Sequence, residues 1–179
     1  MSAAPPIYGL LAEFPTPDAL LSASAAVRDA GFRDWDAHAP FPVHGLNEAM
    51  GLKPTRLPWV VLGAGTTGAV AGLLLQWWTN AFDYPYKISG KPFWSVPANI
   101  PVTFELTILL SAIAAFVGML AFNGLPRFHH PLFSRSSFAR ATADRFFISI
   151  EASDPRFDAG RTEAFLRGLH AVSVERVED

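Results

Sequence analysis

Glu105 is the residue of this chain whose type and setting most strongly suggest chemistry. It lies at the edge of a long run without charge, 106–126, and Thr103 and Thr107 flank it. A carboxylate inside hydrocarbon is costly unless it is neutral, paired or near the interface. We therefore weigh three roles for Glu105: proton exchange, a polar contact with a neighbouring chain, or solvation one helical turn below a membrane surface. The two threonine hydroxyls are candidate hydrogen-bond partners in each case.

Two adjacent histidines, His129 and His130, follow the same run. Histidine titrates near neutral pH and can pass protons. Side chains that are adjacent in sequence point in different directions on a helix, which argues against a metal ion shared by this pair. We expect interfacial contacts for both histidines, with proton handling as the alternative.

The composition excludes most redox and nucleophilic chemistry. The chain has no cysteine, and no histidine lies within 57–126. Thiolate-bound iron–sulfur clusters, thioether-linked haem and a cysteine nucleophile are therefore impossible, as is a bis-histidine haem in that segment. The remaining polar residues show no nucleophile–base spacing, and a net charge of −2 without a long basic run does not indicate nucleic acid. We predict a chain without catalytic residues, cofactor or metal of its own.

Two segments without charged residues, 57–82 and 106–126, define the organisation of the chain. About 20 apolar residues in helical form cross the hydrocarbon core of a bilayer, and both segments reach that length. We predict a transmembrane hairpin over 57–126, with spans of about 57–80 and 101–124 and an outer loop at 81–100. A glycine-rich string within the first span, 63–68, imitates a dinucleotide loop. No strand precedes it, so we reject it as a nucleotide site.

Small residues recur four positions apart in both predicted spans. Such spacing allows close approach of helix backbones in lipid. The small residues are predicted either to hold the two spans together or, in addition, to form a groove for a partner's helix. The residues concerned are Ala64, Gly68, Gly72, Ser111, Ala114, Ala115 and Gly118.

The flanks of the hairpin read as two strand–helix–strand units. In the first flank, 7–14 alternates as a strand, Thr16-Pro17-Asp18 begins a helix that ends near Gly31, and 32–37 is a weak second strand before an irregular connection at 40–58. In the second flank, a strand at 146–151 precedes a short helix around 165–169 and a strand-like tail at 172–177. We predict an α+β fold: a ferredoxin-like βαβ–βαβ cytoplasmic domain, built from 1–52 and 127–179, with the hairpin inserted between its halves.

Basic residues near the spans predict the orientation. Six lie close to the flanking ends of the hairpin, whereas the intervening loop holds only Lys87 and Lys91. Because positive residues favour the cytoplasmic side, both termini are expected in the cytoplasm. Residues 1–9 show neither the basic nor the apolar region of a secretory signal, so we expect the first flank to stay on the side where it is made.

Several separated strings resemble the ActD-type membrane subunit of bacterial alternative complex III. They cover nearly the whole chain: FPVHG at 41–45, GLK at 51–53, RLP at 56–58, IPVTFELT at 100–107, NGLPRFHHPLF at 123–133 and RFFISIE at 145–151, followed by Asp154-Pro155 and Phe157-Asp158. The resemblance implies a bacterial inner-membrane subunit of a quinol:electron acceptor oxidoreductase. It also implies that haem c, iron–sulfur clusters and quinol belong to partner subunits, among them polytopic quinol-binding ones.

Two functions are compatible with these features. The first is a cofactor-free, non-catalytic subunit that braces the quinol-binding partners in the lipid bilayer and contributes to a proton path. The second is a membrane-tethered module whose α+β domain senses a ligand.

Overall fold

The computed structural model describes residues 7–87 and 89–178. The chain divides into two compact units. The first, here called the α+β unit, combines Met1–Lys53 with Phe128–Asp179. The second, here called the hairpin unit, comprises Pro54–Arg127.

A four-stranded antiparallel sheet forms the centre of the α+β unit. Its strands are β1 (Ile7–Phe14), β2 (Trp35–His38), β3 (Phe146–Glu151) and β4 (Ser173–Glu178), in the spatial order β2-β3-β1-β4. The first strand pairs with both strands of the second flank: Ala12 lies opposite Ile148 of β3 and Val174 of β4. The predicted α+β class with its strands at 7–14 and 146–151 is confirmed, and the two flanks form a single sheet.

The first helix follows from the capping residues that the sequence supplies. Helix α1 spans Pro17–Asp29, and the Thr16 hydroxyl accepts a hydrogen bond from the backbone N–H of Ala19 at 3.2 Å. This bond satisfies a donor that the first helical turn leaves open. The chain turns at Gly31, whose φ of 82° suits glycine. The predicted helix and its cap are confirmed.

The second flank repeats this pattern. Helix α5 spans Ala159–Gly168, and the carboxylate of Asp158 caps it by accepting from the N–H of Arg161 at 2.8 Å. Both α1 and α5 pack on the same face of the sheet, where α1 contributes Leu20 and Val27 and α5 contributes Leu166. The other face is covered by two short 3₁₀ helices, Pro131–Ser134 and Ser136–Thr142.

Two details of the first flank differ from the prediction. The second strand, Trp35–His38, begins three residues later than the predicted strand at 32–37, since Phe32 packs against the core before the strand begins. The connection predicted as irregular contains a short helix, α2 (Leu46–Met50). Gly45 and Gly51 bracket it with φ values of 83° and 71°, so glycine conformations set both of its ends.

The hairpin unit consists of two long antiparallel helices, α3 (Leu57–Trp78) and α4 (Val96–Phe122). A π-helical turn, Thr79–Asp83, extends α3. By length and composition, Leu57–Asp83 and Val96–Phe122 are each able to cross a membrane. Helix α4 begins five residues before the predicted start at 101. Pro97 lies in the first turn of α4. Pro101 lacks a backbone N–H donor, but it is close to the N-terminal end of α4, and the helix continues through it.

Candidate interaction site in the hairpin

Glycine residues allow α3 and α4 to approach closely. A Cβ added at Gly65 would lie 2.5 Å from the Ser111 hydroxyl, and one added at Gly72 would lie 2.9 Å from the Cα of Thr103. A Cβ at Gly68 would overlap the carbonyl oxygen of Leu106. These three glycines are the buried residues of α3. The contact between the two helices along these glycines is called the seam below.

The other predicted packing residues lie around the seam. Ala64, Ala114, Ala115 and Gly118 are half-buried, and a Cβ at Gly118 would lie 2.8 Å from a methyl group of Leu57. Small-residue spacing alone favours Ala64 over its neighbour, whereas the structure buries Gly65. Spacing cannot choose between these two adjacent positions, because Gly68 lies four residues after Ala64 and three after Gly65, and both intervals place residues on one face of a helix.

A polar cluster closes the end of the seam near the loop. The side-chain amide of Gln76 donates to the backbone carbonyl of Asn99 at 3.0 Å and to that of Gly72 at 3.1 Å. The Thr103 hydroxyl donates to the Asn99 carbonyl at 2.9 Å, and the Thr107 hydroxyl donates to the Thr103 carbonyl at 2.7 Å. Both hydroxyls therefore donate to backbone carbonyls of α4 itself, on the side of this helix that faces the seam.

Asn99 is the one buried residue of α4, with a side chain only 2% exposed. Its Nδ2 has no hydrogen-bond partner within the described ranges 7–87 and 89–178. Sequence reasoning missed both residues: Gln76 was visible as an amide within the first predicted span, whereas Asn99 fell in the predicted outer loop, 81–100. Their meeting depends on the register of the two helices, which the sequence does not show.

Glu105 points away from all of these groups. Successive helical residues are about 100° apart, so Glu105 lies on the face of α4 opposite Thr103 and Thr107. It is exposed, and the described part of the chain gives it no hydrogen bond or ion pair. The structure thus separates Glu105 from the two threonines that were its predicted partners.

An apolar groove of about 740 Å³ runs beside the seam. Its walls come from both helices and are almost free of polar surface. This apolar lining suits an aliphatic or aromatic group rather than a polar ligand. The lining residues include Leu57, Val61, Leu62, Gly65, Ala69 and Ser111.

The predicted histidine pair separates in the α+β unit. His129 is exposed, whereas His130 is half-buried with its ring edge against Tyr8, at a centroid distance of 5.4 Å. The Nδ1 atom of His130 accepts from the N–H of Leu132 at 3.4 Å, which caps the first 3₁₀ helix. The Tyr8 hydroxyl donates to a carboxylate oxygen of Glu151 at 2.9 Å. His130 therefore helps to hold the segment that covers one face of the sheet.

A third histidine, His38, lies in the same region and was not singled out from the sequence. Its Nε2 is 3.2 Å from the Ser149 hydroxyl, and its ring meets Phe138 edge-on at 5.0 Å. Burial lowers the pKa of His38; the nearby Asp36 carboxylate opposes this shift and His130 adds to it. Among the residues that the structure describes, no group of three His, Asp or Glu side chains is placed to hold a metal ion.

An α+β unit interrupted by a hairpin of two helices, each long and apolar enough to cross a membrane, points to a membrane-associated protein. The family model of the alternative complex III ActD subunit matches residues 8–176, nearly the whole chain. The chain therefore belongs to the ActD family and is a subunit of alternative complex III. No curated protein shows significant similarity to it.

Proposed function

We propose that this chain is a cofactor-free, non-catalytic subunit whose hairpin braces the polytopic quinol-binding subunits of alternative complex III. The observation that carries the proposal is the exposure of the hairpin. Within α3 and α4, both fully described, the buried residues are Gly65, Gly68, Gly72 and Asn99. All other side chains of these helices retain surface for lipid or for a partner helix, which suits an assembly role.

The composition supports a role without a redox group. A chain with no cysteine, and with no histidine in 57–126, has no thiolate or imidazole to hold a carrier in its spans. Haem c, iron–sulfur clusters and quinol are accordingly assigned to partner subunits in this proposal. The chain then contributes binding surface and shape rather than electron transfer.

The order of the strands supports a ferredoxin-like arrangement of the α+β unit. The elements follow one another as β1-α1-β2 and β3-α5-β4, and both helices lie on one face of the antiparallel sheet. In this proposal 1–52 and 127–179 form one cytoplasmic domain of an inner-membrane protein. The hairpin replaces the connection between β2 and β3.

A proton path through this chain receives less support than an assembly role. The hydroxyls of Thr103 and Thr107 donate to backbone carbonyls on the seam side, away from Glu105. His129 and His130 belong to the other unit and do not share a hydrogen bond. Because neither threonine hydroxyl serves Glu105, this carboxylate is better explained by a contact with another subunit.

Purification from native membranes tests the bracing role. The tagged chain, extracted in a mild detergent, is expected to bring down haem-bearing and polytopic subunits in fixed proportion. A matched control replaces 57–126 by an unrelated two-span hairpin of equal length, and this variant is expected to reach the membrane without those partners. Recovery of the unaltered chain alone, or equal recovery of partners with the replaced hairpin, would refute the proposal.

A further inference from the structure

The register of α3 against α4 fixes the level of Glu105, that is, its position along the axis of the hairpin. A Cβ at Gly72 would meet the Cα of Thr103 at 2.9 Å, and one at Gly68 would meet the Cα of Thr107 at 3.0 Å. Glu105 lies midway between these two threonines along α4. Its level on the antiparallel α3 is therefore midway between the two glycines, at position 70.

Two exposed tryptophans of α3 place this level in the bilayer. Tryptophan is enriched at both membrane interfaces, and Trp59 and Trp78 are 74% and 57% exposed. At 1.5 Å per residue they are about 28 Å apart, close to the thickness of the hydrocarbon core, about 30 Å. Position 70 is then about 12 Å from the level of Trp78 and about 16 Å from that of Trp59. Glu105 is thus close to the middle of the bilayer, far deeper than the position one helical turn below the membrane surface that was weighed from the sequence.

At this depth Glu105 needs a partner that the hairpin does not supply. It points away from α3, and its side chain is shorter than those of lysine and arginine, which reach the interface from positions near helix ends. Ala98 and Ala112 lie two turns before and after it, on the same exposed face of α4. Small residues in these positions allow another backbone to approach closely.

We propose that this face of α4 docks against a transmembrane helix of a partner subunit that presents a lysine, arginine or histidine to Glu105 near mid-bilayer. The inference rests on the proposed function and specifies the chemistry of the partner. Charge complementarity selects this occupant, because acyl chains offer no donor to a carboxylate. A second copy in the same orientation would place another glutamate at the same depth, and like charges repel.

Substitutions at position 105 test the need for charge. Glu105→Gln removes the charge at nearly constant size, whereas Glu105→Asp keeps it. Interhelical polar contacts in membranes correspond to changes of roughly five- to thirty-fold in association. We expect Glu105→Gln to lower recovery of partner subunits by about tenfold, and Glu105→Asp to retain most of it. Equal recovery with Glu105→Gln and with the unaltered chain would overturn the inference.

Photocrosslinking identifies the occupant and does not depend on altering Glu105. A photoreactive phenylalanine analogue replaces Ala112 on the proposed face, and a control chain carries it at Gly63, on the face of α3 away from the seam. The expected adduct at 112 is a transmembrane segment of a partner subunit that contains a basic residue. Adducts with lipid only, with a second copy, or with a segment lacking a basic residue would each refute the inference. Failure of the unaltered chain to recover any partner would instead refute the proposed function.

Discussion

A single carboxylate, Asp154, joins the two halves of the α+β unit. It is buried and accepts backbone N–H bonds from Arg33 at 2.6 Å, Asp34 at 2.9 Å and Arg156 at 2.7 Å. Burial by itself would raise the pKa of Asp154, but these three donors and the Arg156 charge hold it below the ordinary value. The turn after β3 is thereby attached to the segment that enters β2.

Replacing this carboxylate is expected to weaken the α+β unit. Asp154→Asn puts an amide group among three donors, and hydrogen bonds to a charged group each contribute about 1.5–3 kcal/mol. We expect the unfolding free energy to fall by about 2 kcal/mol. Denaturation of the detergent-solubilised chain is followed by fluorescence of Trp35, with the other four tryptophans replaced by phenylalanine. The matched change Asp34→Asn, at an exposed side chain of the segment that Asp154 holds, is expected to leave the midpoint unchanged.

His38 gives the same unit a predictable dependence on pH. Burial lowers the pKa of His38 in the folded chain below its unfolded value of about 6.5. Below that pH the unfolded chain binds a proton more readily than the folded chain does, so the unfolding free energy falls as the pH falls. We expect His38→Gln to flatten this decline between about pH 6.5 and pH 5. The exposed His44→Gln serves as the control, and an unchanged slope in His38→Gln would contradict the explanation.

At the scale of elements, the hairpin depends on glycine at the seam and tolerates change elsewhere. An added methyl group at Gly68 would overlap the Leu106 carbonyl oxygen, whereas one at Gly63 meets no atom within 4 Å. Because backbone atoms cannot move aside as a side chain can, the helices must separate in the first case. The two positions provide the same substitution with opposite expectations.

Gly68→Ala is therefore expected to destabilise the hairpin by about 1–3 kcal/mol, the usual cost of overpacking. Gly63→Ala is expected to leave the stability of the hairpin undiminished, since alanine has a higher helix propensity than glycine. The chain lacks cysteine, so Thr55→Cys and Asn123→Cys allow a dye pair to be attached specifically. Energy transfer between the dyes during SDS titration reports helix separation, which should occur at a lower SDS fraction in Gly68→Ala. Coincident titrations for both alanine variants would refute the packing scheme.

Local rules account for most elements but not for their contacts. The Thr16 cap, Pro17 and the alternation of Phe146, Ile148 and Ile150 carry the signals of α1 and β3, and both form as predicted. Helix α2 is too short to show periodicity, and the early start of α4 depends on a helix that continues through Pro101. The polar cluster and the level of Glu105 arise only when two helices pack in one register. That register is tertiary information, and single-helix patterns do not contain it.

At the scale of the whole molecule, strand pairing constrains the membrane topology. Strand β1 pairs with β3 and β4, which lie beyond the hairpin in sequence. A sheet cannot form across a bilayer, because its strands must exchange backbone hydrogen bonds directly. We therefore expect the two flanks to share one side of the membrane, which an even number of spans permits.

Single cysteines provide a direct test of this topology in a chain that has none. Ser22→Cys and Ser153→Cys place exposed thiols in the two flanks, and Ser89→Cys places one in the loop between the spans. With the basic residues on the cytoplasmic side, a membrane-impermeant maleimide should label the loop thiol in spheroplasts. It should label both flank thiols only in inside-out vesicles. If a flank and the loop react from the same side, the double crossing is wrong; if the two flanks react from opposite sides, the shared sheet is wrong.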